Sequence, residues 1–407
     1  MAESAYKISV PNSLLDTLHQ KLALTTLPDE LEGAGWDYGV PLADVKRLLA
    51  RWQDGYDWRR HEAQLNAEMP QFTRPISVDG HGTLSIHYVH QRSEVAEAIP
   101  LLYVHGWPGS FFEGRKILPL LSKESVGHPS FHVVVLGLPG YGFSEAPSKK
   151  GFGMKQYAEV GNKLMLALGY NEYVTQGGDW GFPITKKIAQ LYGGKHSKAW
   201  HTNMPIGVQP TDSEGQLELT PREKAGLERT IWFRSKGRGY FMEQSTVPQT
   251  LGYALADSPV GLLAWIYEKL VLWTDNYPWD DDEVLTWISI FWFSCSGPAA
   301  SLRIYFEFTA ESEASHSQPE AAPPTIPLGL SHFPDDIVSF PRIWCRGIGN
   351  IVFAHEHESG GHFAAYERPN ELVDDLRRMF GRDGPAFGVV SGMPGYPAGN
   401  GSNSSRL

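Results

Sequence analysis

The sequence predicts an α/β protein: a doubly wound, mostly parallel sheet, interrupted by a helical insertion and preceded by an N-terminal extension. Three observations carry that prediction. Pro100–Val104 and Val133–Leu138 are unbroken apolar runs, as expected of strands buried on both faces. A helical segment, Met154–Leu168, separates the second run from a short strand at Tyr173–Gln176, so strand and helix alternate. After about Pro205 the strand series gives way to helices rich in aromatic residues, among them Trp232, Trp265, Trp273 and Trp287.

Residues 1–92 form the extension. Leu14, Leu15, Leu18 and Leu22 recur at helical spacing, and Ala43 to Trp52 repeats the pattern. Leu84, Ile86 and Tyr88 alternate with polar residues and predict a strand. The first part of the sheet domain spans 93–207 and the helical insertion 208–330. The sheet domain then resumes over 331–380, with strands expected near Pro341–Gly347 and Ile351–Ala354 and a closing helix at Asn370–Phe380. From Gly381 to Leu407, Gly, Pro, Ser and Asn dominate, and this tail is expected to be disordered.

Composition narrows the function classes. Of 407 residues, 42% are hydrophobic and 20% charged, as in an ordinary soluble protein. A formal charge of −11 with no basic run argues against a nucleic-acid partner. No apolar stretch is long enough for a membrane span or anchor, and MAESAYKISVPNSL lacks a signal-peptide core. Two cysteines, Cys295 and Cys345, fit a reducing compartment, so a cytoplasmic location is expected. The Asn-x-Ser sequons at Asn400 and Asn403 then read as chance matches. The oligomeric state is open, and a homodimer is compatible with the sequence.

The most informative residues are Gly177-Gly178-Asp179-Trp180-Gly181. They sit between a predicted strand and a predicted helix, the context of a nucleophile elbow with Asp in place of Ser. Glycines permit the tight turn, and a helix N-terminus favours an ionised carboxylate. Upstream, His105-Gly106-Trp107-Pro108-Gly109-Ser110 follows the Val104 strand, where a loop can aim the Trp107 N–H at a developing oxyanion. The Trp180 N–H would be the second donor. His105 itself is expected to be structural. Downstream, Gly360-Gly361-His362-Phe363 lies between a strand and the final helix, which makes His362 the candidate base. His355-Glu356-His357 matches neither H-E-x-x-H nor a standard zinc spacing, so no metal is expected.

From about Ile8 to Phe380 the chain resembles the microsomal-type epoxide hydrolases of the α/β-hydrolase superfamily, in a soluble fungal or bacterial form. The resemblance rests on Leu27-Pro28-Asp29, Trp36-Asp37-Tyr38-Gly39, Tyr56-Asp57-Trp58-Arg59, the His105–Ser110 loop and Gly360–Ala365 followed by Glu367-Arg368-Pro369. It implies two ring-opening lid tyrosines. Gly239-Tyr240-Phe241-Met242-Glu243-Gln244 matches one segment and Arg303-Ile304-Tyr305-Phe306-Glu307 the other. It also implies a charge-relay acid in Phe333-Pro334-Asp335-Asp336, with Asp336 the candidate and Asp335 the weaker alternative.

The expected chemistry needs no cofactor. Asp179 opens a small apolar or aromatic epoxide, Tyr240 and Tyr305 protonate the oxygen, and water activated by His362 and Asp336 cleaves the ester. A haloalkane dehalogenase shares the Asp nucleophile and is the nearest alternative. A serine esterase would need Ser at position 179, and a non-catalytic binding protein would be expected to lack one of these residues.

Overall fold

Among the described residues, 3–210, 218–315 and 322–397 of the computed structural model, nine strands form one sheet. They are β1 (Ser4–Ala5), β2 (Gln71–Val78), β3 (Gly82–Gln91), β4 (Ile99–Val104), β5 (Phe131–Leu136), β6 (Tyr173–Gly177), β7 (Ser197–Thr202), β8 (Pro327–His332) and β9 (Asn350–Glu356). Their spatial order is β1-β2-β3-β5-β4-β6-β7-β8-β9. The pairs from β5 through β9 are parallel; β1, β2 and β3 add an antiparallel edge. Every residue of β4 and β5 is buried, which explains their uninterrupted apolar sequences.

The chain order reverses at β4, which lies between β5 and β6. Loops leaving the carboxyl ends of β4 and β6 therefore emerge side by side, with Val104 paired to Gly177. In open α/β sheets such a switch point is where a crevice forms.

Sequence reasoning missed three strands of functional consequence for the sheet. β2 carries Pro75 and two arginine- or glutamine-bearing positions, and β7 (SKAWHT) has no apolar run, so neither reads as a strand alone. β8 begins with Pro327 and contains Gly329, both poor strand formers. It lies inside the span expected for the insertion, so the sheet resumes at Pro327 instead of residue 331. The strand expected near Pro341–Gly347 is instead a short helix, Arg342–Cys345, set off by Pro341.

The insertion is helical as expected, running from Pro221–Trp232 to Arg303–Ser315. Its first helix starts at a capping box in which Thr220 and Glu223 satisfy each other's backbone N–H, a device contributing about 1 kcal/mol. The extension braces this lid from outside. Arg51 makes two hydrogen bonds to Asp282, at 2.8 and 3.0 Å; Arg47 pairs with Asp281 and Lys21 with Asp257.

Residues 381–397 are ordered against the expectation for the tail. Ala386, Val390 and Tyr396 are buried, and Gly395 accepts from the Ser130 N–H at 2.7 Å while donating to Glu97 O at 2.8 Å. The glycines and prolines masked an apolar pattern that packs beside the start of β4 and β5, where Gly395 lies against Pro129 and Ile99. Residues 398–407, with both sequons, lie outside the described residues. Cys295 and Cys345 are unpaired.

Candidate active site

Asp179 lies two residues past the end of β6 and adopts φ +49°, a left-handed conformation rarely held by residues other than glycine. That strain lifts its carboxylate out of the turn, with the helix Gly181–Tyr192 beginning just behind it. The Trp107 N–H, from the loop after β4, donates to Asp179 Oδ1 at 2.8 Å. Trp180 is the N-cap of the helix; among the described residues, Trp107 is the one backbone N–H bonded to this carboxylate.

Two glycines make the approach of the loops feasible. A Cβ on Gly106 would lie 2.1 Å from Asp179 Oδ1, and one on Gly109 would lie 1.3 Å from Glu113 Oε1. A side chain at position 106 would collide with the Asp179 side chain, and one at position 109 would displace the Glu113 carboxylate.

His362 lies on the loop between β9 and the final helix Pro369–Phe380, and its N–H donates to Trp273 O of the lid at 2.7 Å. Its Nε2 is 3.3 Å from Asp179 Oδ2, and its Nδ1 donates to Asp336 Oδ1 at 2.7 Å. Asp336, in the loop after β8, also accepts the Ile337 N–H at 2.7 Å. Burial opposes charge on His362, but Asp336 and Asp179 outweigh it and raise the imidazole to about 10. Asp335 is the partly exposed neighbour, 3.8 Å from Arg229, and does not reach His362. Asp336 is therefore the residue that orients the imidazole.

The lid completes the site. Tyr240 and Tyr305 come from different lid helices, Gly239–Thr246 and Arg303–Ser315, yet their rings lie 5.8 Å apart. Trp107 stacks on Tyr240 at 5.3 Å, and Trp180 meets Tyr305 edge-on at 4.7 Å. Both hydroxyls stay protonated: burial first, then the Asp179 charge (and for Tyr305 also Tyr240), raise them well above the ordinary range. The Tyr305 hydroxyl is buried, with the Tyr240 hydroxyl and the Trp180 indole N–H as its polar neighbours but no hydrogen bond of full geometry to either.

Asp179, Tyr240 and Tyr305 share the wall of a cavity of about 550 Å³, otherwise lined mainly by apolar side chains such as Phe233, Phe241, Phe308, Ile337 and Phe340. A second cavity of about 10 Å³ lies behind the nucleophile, bounded by Asp179, His362, Glu113, Asn203 and Tyr103. It is polar and fits one water. Glu113 is the site residue sequence reasoning missed. Burial, opposed by His362 and aided by Asp179, raises it to about 8, and it accepts from the Tyr103 hydroxyl at 3.2 Å. Glu113, nine residues after β4, closes the loop motif that begins at His105, but nothing in that motif gives it a role; only the fold shows which way it turns.

His105 is structural, as expected: buried, it accepts the Leu138 N–H, and burial pushes it down to about 4. His355 and His357 do not join His362; they converge on Asp375 of the final helix.

A carboxylate on a strained elbow, a histidine–carboxylate pair and a donor loop define the site of an α/β hydrolase. The comparisons agree. Residues 3–114 match the family model described as the epoxide hydrolase N terminus, and residues 99–206 match that of the alpha/beta hydrolase fold. A Stigmatella aurantiaca protein is 39% identical over 385 residues, covering 92% of this chain and 84% of its own. Epoxide hydrolase 1 of Sus scrofa is 33% identical, covering 92% and 88%. The crystal structure of Aspergillus niger epoxide hydrolase superimposes with a TM-score of 0.81 at 35% identity, covering 92% and 95%. The chain belongs to the epoxide hydrolase family. No helix among the described residues is long and apolar enough to cross a membrane.

Proposed function

We propose that the chain converts apolar or aromatic epoxides to vicinal diols through an ester on Asp179. The observation that carries this reading is the apolar cavity whose wall holds one carboxylate and two protonated tyrosines, with His362 behind the carboxylate. Asp179 attacks a ring carbon, the C–O bond breaks, and Tyr240 or Tyr305 gives its proton to the departing oxygen. The imidazolium of His362 returns a proton to the tyrosinate. Esterification also removes the Asp179 charge, one of the two that hold the imidazole protonated. Neutral His362, oriented by Asp336, then takes a proton from water, and the hydroxide adds to the ester carbonyl. The Trp107 N–H, joined by that of Trp180, stabilises the oxyanion. Collapse releases the diol, and the carboxylate and imidazolium are restored.

The haloalkane dehalogenase alternative is not favoured. A halide leaves without a proton, which gives two buried tyrosine hydroxyls no task, and the relatives above are epoxide hydrolases. The reading takes the enzyme to be cytoplasmic, as a monomer or homodimer.

Single turnover in heavy-oxygen water tests the ester. Water attacks the carbonyl carbon, so the label is expected in the Asp179 peptide and not in the first diol. Label in that first diol would mean direct hydration of the ring and would overturn the scheme.

A further inference from the structure

We propose that His355, His357 and Asp375 form a binding site for a divalent transition-metal ion such as zinc, apart from the reaction centre. His355 lies on β9 and His357 just past its end, and their rings come together with centroids 4.4 Å apart. Asp375, fully buried, faces them from the final helix. Its Oδ1 lies 2.6 Å from His355 Nδ1 and its Oδ2 lies 2.6 Å from His357 Nε2. One ligand atom from each residue falls within 4.8 Å of the others. Tetrahedral zinc, with bonds of about 2.0–2.2 Å, sets its ligands about 3.4 Å apart, so small shifts suffice.

The surroundings support the donors. The Ser331 hydroxyl donates to Asp375 Oδ2 and lies 3.1 Å from His201 Nε2, which fixes the carboxylate from behind. Phe333 stacks on the His357 ring, with centroids 4.3 Å apart.

Arg378 Nη1 lies 3.3 Å from His355 Nδ1 and 3.9 Å from Asp375 Oδ1. His355 Nδ1 cannot both donate to Asp375 and accept from Arg378, because it carries either a proton or a lone pair. A metal resolves this conflict by taking the lone pairs of both imidazoles and displacing Arg378. That side chain is half exposed, and its guanidinium already lies 5.4 Å from the Phe353 ring centroid, where it can rest. His355 is about a third exposed, which leaves an entry path and room for water as fourth ligand. Two imidazoles and a carboxylate suit zinc or cobalt better than calcium or magnesium.

The experiment uses the untagged full chain, freed of metal with a chelator and titrated with Co²⁺ and then Zn²⁺. Visible absorption reports tetrahedral cobalt, and calorimetry and thermal unfolding report zinc. One equivalent is expected to bind saturably and raise Tm, since the ion would join β9 to the final helix. His355→Ala, at a partly exposed position, should weaken binding at least tenfold, and Arg378→Ala should tighten it. Absence of one-equivalent binding, or any other order of affinity among the three proteins, would overturn the proposal.

Discussion

Tyr305→Phe separates stability from chemistry in a way the geometry makes quantitative. The hydroxyl it removes is buried with no hydrogen bond of full geometry, only the loose neighbours Tyr240 and Trp180, while the ring keeps its contacts with Trp180, Trp107 and Phe241. Folding therefore loses at most a weak hydrogen bond, and stability should change by less than about 1 kcal/mol. Ring opening loses a donor to developing negative charge. A hydrogen bond to a charged group is worth about 1.5–3 kcal/mol, so alkylation should slow by about 10- to 150-fold. Both quantities come from one protein: equilibrium unfolding gives the first, and single-turnover stopped flow, read through the adjacent tryptophans, gives the second. A variant less stable than the parent, with alkylation unchanged, would refute the reasoning, because the hydroxyl would then serve the fold.

His362→Gln should leave alkylation and abolish hydrolysis, so intact-mass measurement after mixing should show the epoxide mass added to the enzyme; sustained turnover would remove His362 as the base. Glu113 gives a pH prediction. Its carboxyl is raised from 4.5 to about 8, so its contribution to stability is full below about 4.5 and is lost as pH rises through about 8. Above that pH it becomes an anion beside Asp179 and opposes the oxyanion, so turnover should fall through about 8. In Glu113→Gln both the stability slope and that activity limb should vanish; a limb of equal position in the variant would assign it elsewhere.

Chemistry set by neighbours in the chain was readable in the sequence. The elbow around Asp179, the loop at Trp107 and the position of His362 are short motifs flanked by strands whose apolar runs announce them. Tyr240, Tyr305 and Asp336 were reached only by resemblance, since nothing in their local patterns distinguishes them from packing residues. What remained hidden depends on distant partners. β8 is a strand because β7 and β9 flank it, despite its proline and glycine. Glu113 owes its raised pKa to burial against a loop, and Asp375 meets two histidines from another element. The chain from 381 to 397 is held by its buried side chains, Ala386, Val390 and Tyr396, which its glycine- and proline-rich composition conceals.

The extension that ties Arg47 and Arg51 to Asp281 and Asp282 bears on how binding energy is used. A lid free to swing must be ordered by each substrate molecule, and that ordering is subtracted from affinity. Here the ordering is done once, at folding, by a segment that contributes nothing to the cavity wall. The tyrosines are then in position before the epoxide arrives, and discrimination between epoxides falls to the fixed shape of the cavity.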